Sequence, residues 1–192
     1  MRLTNHLHSL LHRFRREETG SFTVEFILAL PLLVWGMMIS LASIDAYRTQ
    51  TMNLRITYSL ADQISRLEKP IDSAFIDGLG RVYEFLAPSD HDTYLRVTSV
   101  YWDATNAEHV IMWSDVARTT SGKAPPPIIS QANFNLIEDQ IPILAEGDSI
   151  IFVETWLDYE PPFTLGLEPR RFDNDVAVAP RWTKIEHSDI ST

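Results

Sequence analysis

The chain has 192 residues, 16 Lys and Arg against 26 Asp and Glu, and a formal net charge of -10. That length holds a membrane segment and one modest domain, and the acidic balance excludes nucleic acid as a partner because phosphates are repelled. The absence of cysteine excludes disulfides, thiolate metal sites and cysteine nucleophiles.

Charge is unevenly placed. Residues 1–20 carry Arg2, Arg13, Arg15 and Arg16 against Glu17 and Glu18, so this leader is basic and the rest of the chain carries the whole acidic excess. Phe26 to Ile44 follows as FILALPLLVWGMMISLASI, with no charged residue. A helix of that length rises about 28 Å, close to the hydrocarbon thickness of a bilayer. A buried helix of a soluble protein is the bland alternative, but such helices are rarely apolar all round. Arg13, Arg15 and Arg16 before the run, against Asp45 and Arg48 after it, place the N-terminus in the cytoplasm. The expected organisation is a cytoplasmic leader over 1–20, a transmembrane helix over 21–44, and a periplasmic domain over 45–192. The membrane is the bacterial inner membrane, crossed once.

Three readings of this segment compete. A cleaved secretory signal finds its small-residue site at Ser40-Leu41-Ala42, although the apolar region is long and contains Pro31. A plain signal anchor is the second. Neither gives a reason for Glu25, because a carboxylate at a membrane helix costs a few kcal/mol on insertion scales. The third takes Gly20-Ser21 as a processing junction with Glu25 four residues beyond Ser21. A cut after Gly20 exposes an ammonium on Ser21, which pairs with Glu25 of a neighbouring helix where the dielectric is low.

The string Gly20-Ser-Phe-Thr-Val-Glu25-Phe-Ile-Leu-Ala-Leu-Pro31-Leu-Leu resembles the N-terminal signature of TadE-like proteins, the pseudopilins of the tight-adherence (Flp pilus) system. The resemblance covers about 25 residues and rests on the glycine, the Val24-Glu25-Phe26 triplet and Pro31 followed by leucines. The related TadG-like group usually lacks the glutamate. Ser21 stands where ordinary type IV pilins commonly have phenylalanine. The resemblance implies a minor structural or assembly component, a minor subunit or an initiator, processed by a prepilin peptidase at Gly20 and Ser21. Its partners are other pilins or pseudopilins, the pilus assembly platform and membrane lipid. Glu25 and Pro31 serve assembly, and neither enzymatic activity nor a cofactor is implied. Pro31 removes one helical hydrogen bond and is a kink site.

Beyond Asp45 the spacing Met52, Ile56, Leu60, Ile64, Leu67 predicts an amphipathic helix that continues the membrane segment as a stalk, ending at Pro70. A second helix is predicted over Asp72–Leu86, capped by Asp72 or Ser73, with Phe75, Leu79, Val82, Tyr83 and Leu86 on one side. Gly78 and Gly80 weaken its helical pattern. The period then changes. Tyr94–Trp102 and His109–Arg118 predict a hairpin, 119–130 an irregular loop with an extended Pro125-Pro126-Pro127, and Asn135–Ile141 a short helix. Gly147-Asp148 turns the chain into a strand over Ser149–Tyr159, and Val176–Trp182 reads as a short strand in which Pro180 marks either an edge position or a strand end. The sum is α+β: two helices, then about four antiparallel strands. The order fits a pilin-like plan, and GDSIIFVETWLDYEPPF and VAVAPRW are also similar to late segments of TadE-like proteins.

Other candidate sites carry little. His6, His8 and His12 lie in the leader, and His8 and His12 share a spacing that metals accept. Asp90-His91-Asp92 and Asp173-Asn174-Asp175 offer oxygens to Ca²⁺ but lack the pattern of an EF-hand loop and read as solvated loop carboxylates. No metalloprotease helix motif, nucleophile elbow or phosphate loop is present. Trp102, Trp113, Trp156 and Trp182 read as sheet and core residues. No catalytic, cofactor-binding or metal site is assigned. The reading from another class is a periplasmic enzyme or binding protein, held by a simple anchor or released by signal peptidase.

Overall fold

A computed structural model describes residues 21–88, 91–118, 124–163, 166–182 and 184–190. Its longest element is the helix α1, Ser21–Ser65, which continues through Pro31 for 45 residues. This helix is long and apolar enough to cross a membrane, and only 6% of its apolar window is buried. The chain divides into two compact units, one of Met1–Ile44 with Pro162–Leu167 and one of Asp45–Pro161 with Glu168–Thr192. In the first, Gly166 adopts φ +93°, and a Cβ there would lie 3.4 Å from Cδ1 of Ile39.

The second unit has α2, Ser73–Leu86, and four strands: β1 Asp92–Asp103, β2 Glu108–Val116, β3 Ser149–Tyr159 and β4 Arg170–Val178. All neighbours are antiparallel, in the order β2-β1-β3-β4. The β1–β2 turn is fixed by Asp103, whose carboxylate accepts from the Thr105 amide at 2.8 Å and from Asn106 Nδ2 at 2.9 Å. The hydrogen bond from the Thr105 amide holds that carboxyl below the usual aspartate range.

One face of the sheet packs on the helices. The outer turns of α1 bury Ile56, Leu60, Ala61 and Ile64, and α2 buries Ile76, Leu79 and Tyr83. The opposite face carries a second core, in which Val100, Ile150 and Phe152 meet Ile129, Phe134, Ile137 and Ile141 from the segment before β3. Covered on both faces over most of their length, β1 and β3 are buried almost continuously rather than at alternate residues, polar Arg96, Thr98, Ser99, Glu154 and Thr155 included. The same segment protects the β2 edge. The Ile111 amide donates to Gln131 Oε1 at 3.2 Å, and Gln131 Nε2 donates to the His109 carbonyl at 2.8 Å.

The C-terminal residues tie the ends together. The Arg181 amide donates to the Ser65 carbonyl at 2.9 Å, and its guanidinium reaches Asp62 at 2.8 Å. Trp113 Nε1 donates to the Ile185 carbonyl at 2.8 Å, and Ile71 bridges His187 in parallel.

Several expectations need correction. The stalk stripe is rotated: Met52 is exposed, while Thr49, Asn53 and Thr57 are buried beside Ile56 and Leu60. On α2 Leu79 and Tyr83 are buried as expected, but the third buried residue is Ile76 and not Phe75, and Val82 and Leu86 are exposed. Strand β4 starts at Arg170, six residues before the predicted start, and ends before Pro180. Asp173, Asn174 and Asp175 therefore lie on a strand paired with Trp156, Thr155 and Glu154, not in a loop. The predicted short helix is two 3-10 segments, Gln131–Leu136 and Glu138–Gln140. Trp113 is buried, but Trp182 is 65% exposed and is no core residue.

The two glycines of α2 differ. A Cβ on Gly80 would collide with Cβ of Ala117, so the glycine lets the helix approach the end of β2. A Cβ on Gly78 meets only Arg81 at 3.9 Å. Gly80→Ala is expected to destabilise the full-length protein in detergent by about 1–3 kcal/mol. Gly78→Ala should be neutral or stabilising by up to about 1 kcal/mol. Urea midpoints of both variants check this; equal effects would show that the approach to Ala117 is unimportant.

Candidate functional site

Of the proposed processing and assembly residues, Gly20 lies outside the described residues, as does the leader with His6, His8 and His12. Ser21 is the first residue of α1. Glu25 lies one turn further and is exposed, among the exposed side chains of Phe22, Phe26 and Leu28. When a low-dielectric layer covers this apolar surface, the carboxylate loses its water and a cation is required to replace it. The spacing along one helix thus gives a surface that is apolar except for one charge. Pro31 lies two turns on, inside the same helix.

The second unit holds a buried polar network between α1, α2 and β3. Thr57 Oγ1 and Thr155 Oγ1 are 2.6 Å apart, and Thr57 also bonds to the Asn53 carbonyl at 2.9 Å. The Tyr83 hydroxyl donates to Asn53 Oδ1 at 2.6 Å and lies 3.2 Å from the Trp156 carbonyl. Burial pushes the Tyr83 phenol far above its ordinary range, so it stays a neutral donor. Nearer the start of this unit the Tyr159 hydroxyl donates to Asp45 at 2.9 Å. Burial and that carboxylate push Tyr159 up to about 12. Sequence periodicity does not reveal these residues, because polar side chains on a helix normally mark its solvated face.

A buried ion pair crosses β1 and β3. Arg96 donates from Nε and Nη2 to the two oxygens of Glu154, both at 2.6 Å, and from Nη1 to the Pro127 carbonyl. Its guanidinium lies 5.0 Å from the centre of the Trp156 ring. Burial pushes the Glu154 carboxyl up, against the opposing hydrogen bond from Arg96. All the strong donors of the pair point inward at protein acceptors, which suits cross-bracing of the sheet.

Buried His187 pairs with half-buried Asp115, with Nε2 3.1 Å from the carboxylate. The other ring nitrogen, Nδ1, accepts from the Asp189 amide at 3.2 Å. A neutral ring in this setting carries its proton on Nε2. With both nitrogens engaged by protein, the imidazole anchors the C-terminal residues and offers no nitrogen to a substrate. Burial raises the Asp173 carboxyl on β4. Among the described residues no group of three His, Asp or Glu side chains is placed to hold a metal ion.

One surface groove of about 600 Å³ runs along α1, lined by Tyr47, Arg48, Met52, Arg55, Ile56 and Leu86 among others. A second, of about 460 Å³, lies between Leu67–Pro70 and Lys184–Glu186. In neither do side chains converge on a point as in an acid-base or nucleophilic centre. No family model, curated protein or solved structure matches the chain.

The buried ion pair makes a sharp prediction. Arg96→Met leaves Glu154 buried without its partner and should cost about 3–5 kcal/mol, whereas Arg96→Met with Glu154→Leu should recover most of that loss. Chemical denaturation of the single and double variants checks it; a double variant as weak as the single would refute the bracing role.

Proposed function

We propose that the protein is a pseudopilin-like subunit of a tight-adherence pilus system, anchored once in the bacterial inner membrane. The leader is cytoplasmic and the α+β unit periplasmic. A prepilin peptidase cuts between Gly20 and Ser21, and the new Ser21 ammonium pairs with Glu25 of an adjacent subunit. The protein does no chemistry of its own and works by packing with other pilins or pseudopilins on the assembly platform.

The observation that carries this reading is α1 itself: a helix exposed and apolar in its first half apart from Glu25, and buried against an antiparallel sheet in its last turns. A lone carboxylate on such a surface has a purpose when another helix brings a cation to it. A plain anchor or a cleaved signal leaves Glu25 without one. Pilin-like architecture matches the order of a long helix followed by a sheet, and Pro31 allows the helix to bend within a packed bundle.

The first test is the N-terminus and intact mass of the protein from membranes of a native host. A chain starting at Ser21, and at Met1 when the prepilin peptidase is absent, is the expected result. A start at Ser43 means ordinary secretion and sinks the assembly reading. Glu25→Ala should leave membrane insertion and processing intact while reducing incorporation into the assembly by about tenfold or more, since about 1.4 kcal/mol of lost pairing already has that effect. Normal incorporation of this variant would remove Glu25 from the packing role.

A further inference from the structure

We infer that the groove along α1 receives the acidic Gln131–Ser149 segment of a second copy of this chain, with Ile143 as its apolar knob. This rests on the proposed assembly function only in that copies are gathered in one membrane.

The groove is apolar with a cationic rim. Met52, Ile56 and Leu86 supply the apolar wall, and Arg48 and Arg55, two turns apart on one helix, supply the charge. No carboxylate lines it. In a chain of net charge -10, this is a local reversal of sign that selects an acidic occupant.

The same chain carries a matching shape. Ile143 is 99% exposed, while Ile141 before it is buried and Leu144 after it packs against the second core. Two anchored neighbours thus hold an isoleucine out into solvent. Pro142 stiffens the approach. The exit is fixed by a turn in which the Asp148 amide donates to the Ala145 carbonyl at 3.1 Å and Gly147 takes φ +78°. Glu138, Asp139, Glu146 and Asp148 flank the knob, all exposed, and no Lys or Arg lies between Gln131 and Ser149. A preformed apolar knob in an acidic surround meets a preformed apolar groove with a basic rim, and little ordering is needed to join them.

Ile143 is almost fully exposed, so the two surfaces do not satisfy each other within one copy. A contact between different patches is heterologous, and each copy keeps one free groove and one free knob, so the contact propagates. Anionic lipid matches the arginines but makes no use of the raised isoleucine.

The cysteine-free sequence allows a direct test in full-length protein in native membranes. Thr51→Cys, in the groove, and Ala145→Cys, at an exposed position two residues from the intact Ile143 knob, are expressed as separate copies together and oxidised. A mixed disulfide dimer is expected, since bridging needs the two backbones within about 7 Å. One chain carrying both substitutions should give a ladder. Adding Arg48→Glu and Arg55→Glu to the groove copy should cut the mixed dimer by about tenfold or more. Adding Glu138→Lys and Glu146→Lys to the knob copy should restore it. If both cysteines react with maleimide but no mixed dimer forms, or only Thr51→Cys pairs with itself, the inference is wrong. Protection of Thr51→Cys by anionic vesicles without a mixed dimer assigns the groove to lipid and equally overturns it. Processing at Ser21 with no mixed dimer refutes this contact alone. A mixed dimer from unprocessed protein supports the contact whatever becomes of the filament reading.

Discussion

Everything in the second unit depends on how the outer turns of α1 are held to the sheet. The seam combines Ile56, Leu60 and Ile64 with Asn53 and Thr57, and the polar pair is met by Tyr83 of α2 and Thr155 of β3. Apolar burial supplies the attraction but little register, because a helix sliding by one turn buries a similar area. Hydrogen bonds of 2.6 Å between three elements discriminate between registers, since each slip strands a buried donor or acceptor. The same contacts fix α2, whose close approach at Gly80 then aligns it with the end of β2. The C-terminal residues close the arrangement through Asp62, Ser65 and Ile71.

Where both faces of the sheet are covered, a polar side chain of β1 or β3 has no direct route to water. The helices take one face of β1 and β3, and the segment before β3 takes part of the other. Arg96 and Glu154 sit on the same side as Phe152 in β3, where a charge needs full compensation. Two guanidinium bonds to the carboxylate, a third to Pro127 and the Trp156 ring provide it. The Pro125–Pro127 stretch therefore does more than extend the chain: its last carbonyl completes a buried ion pair.

Much of this is legible in the sequence because local signals are strong. Ser149–Tyr159 is a strand at the bounds its β-branched run suggests, Asp72 caps α2 through the Phe75 amide, and Gly147 turns the chain. Strand β4 is less legible. Arg170–Asp175 is mostly charged, and only pairing with β3 shows Phe172 and Val176 as its inward set. Periodicity finds Ile56, Leu60, Ile64, Leu79 and Tyr83 but misplaces single positions beside them for a related reason. Met52 has the side chain of a core residue and Asn53 that of a surface one, yet the long-range partner Tyr83 makes Asn53 the buried residue. Single-helix periodicity carries no information about such partners. The groove is equally tertiary, since Leu86 joins it from another helix.

The proposed assembly uses two kinds of electrostatics in two solvents. Near Glu25 the surroundings are apolar side chains, and a pair formed there lies where screening by salt is weak. Losing one partner leaves a charge that nothing else neutralises, so in the proposed assembly this contact is the stricter of the two conditions for packing. The groove and the acidic knob are exposed, and their charges act across a wet rim where the Debye length is about 10 Å or less at ordinary ionic strength. Such a contact is graded: it weakens with salt, favours encounter of opposite patches, and leaves the apolar Ile143 to supply most of the hold. Placing the strict condition on the apolar helix and the graded one on the acidic domain separates entry into the bundle from the ordering of domains along it. In the proposed assembly a net charge of -10 makes neighbouring domains repel one another except where the basic groove meets the acidic knob.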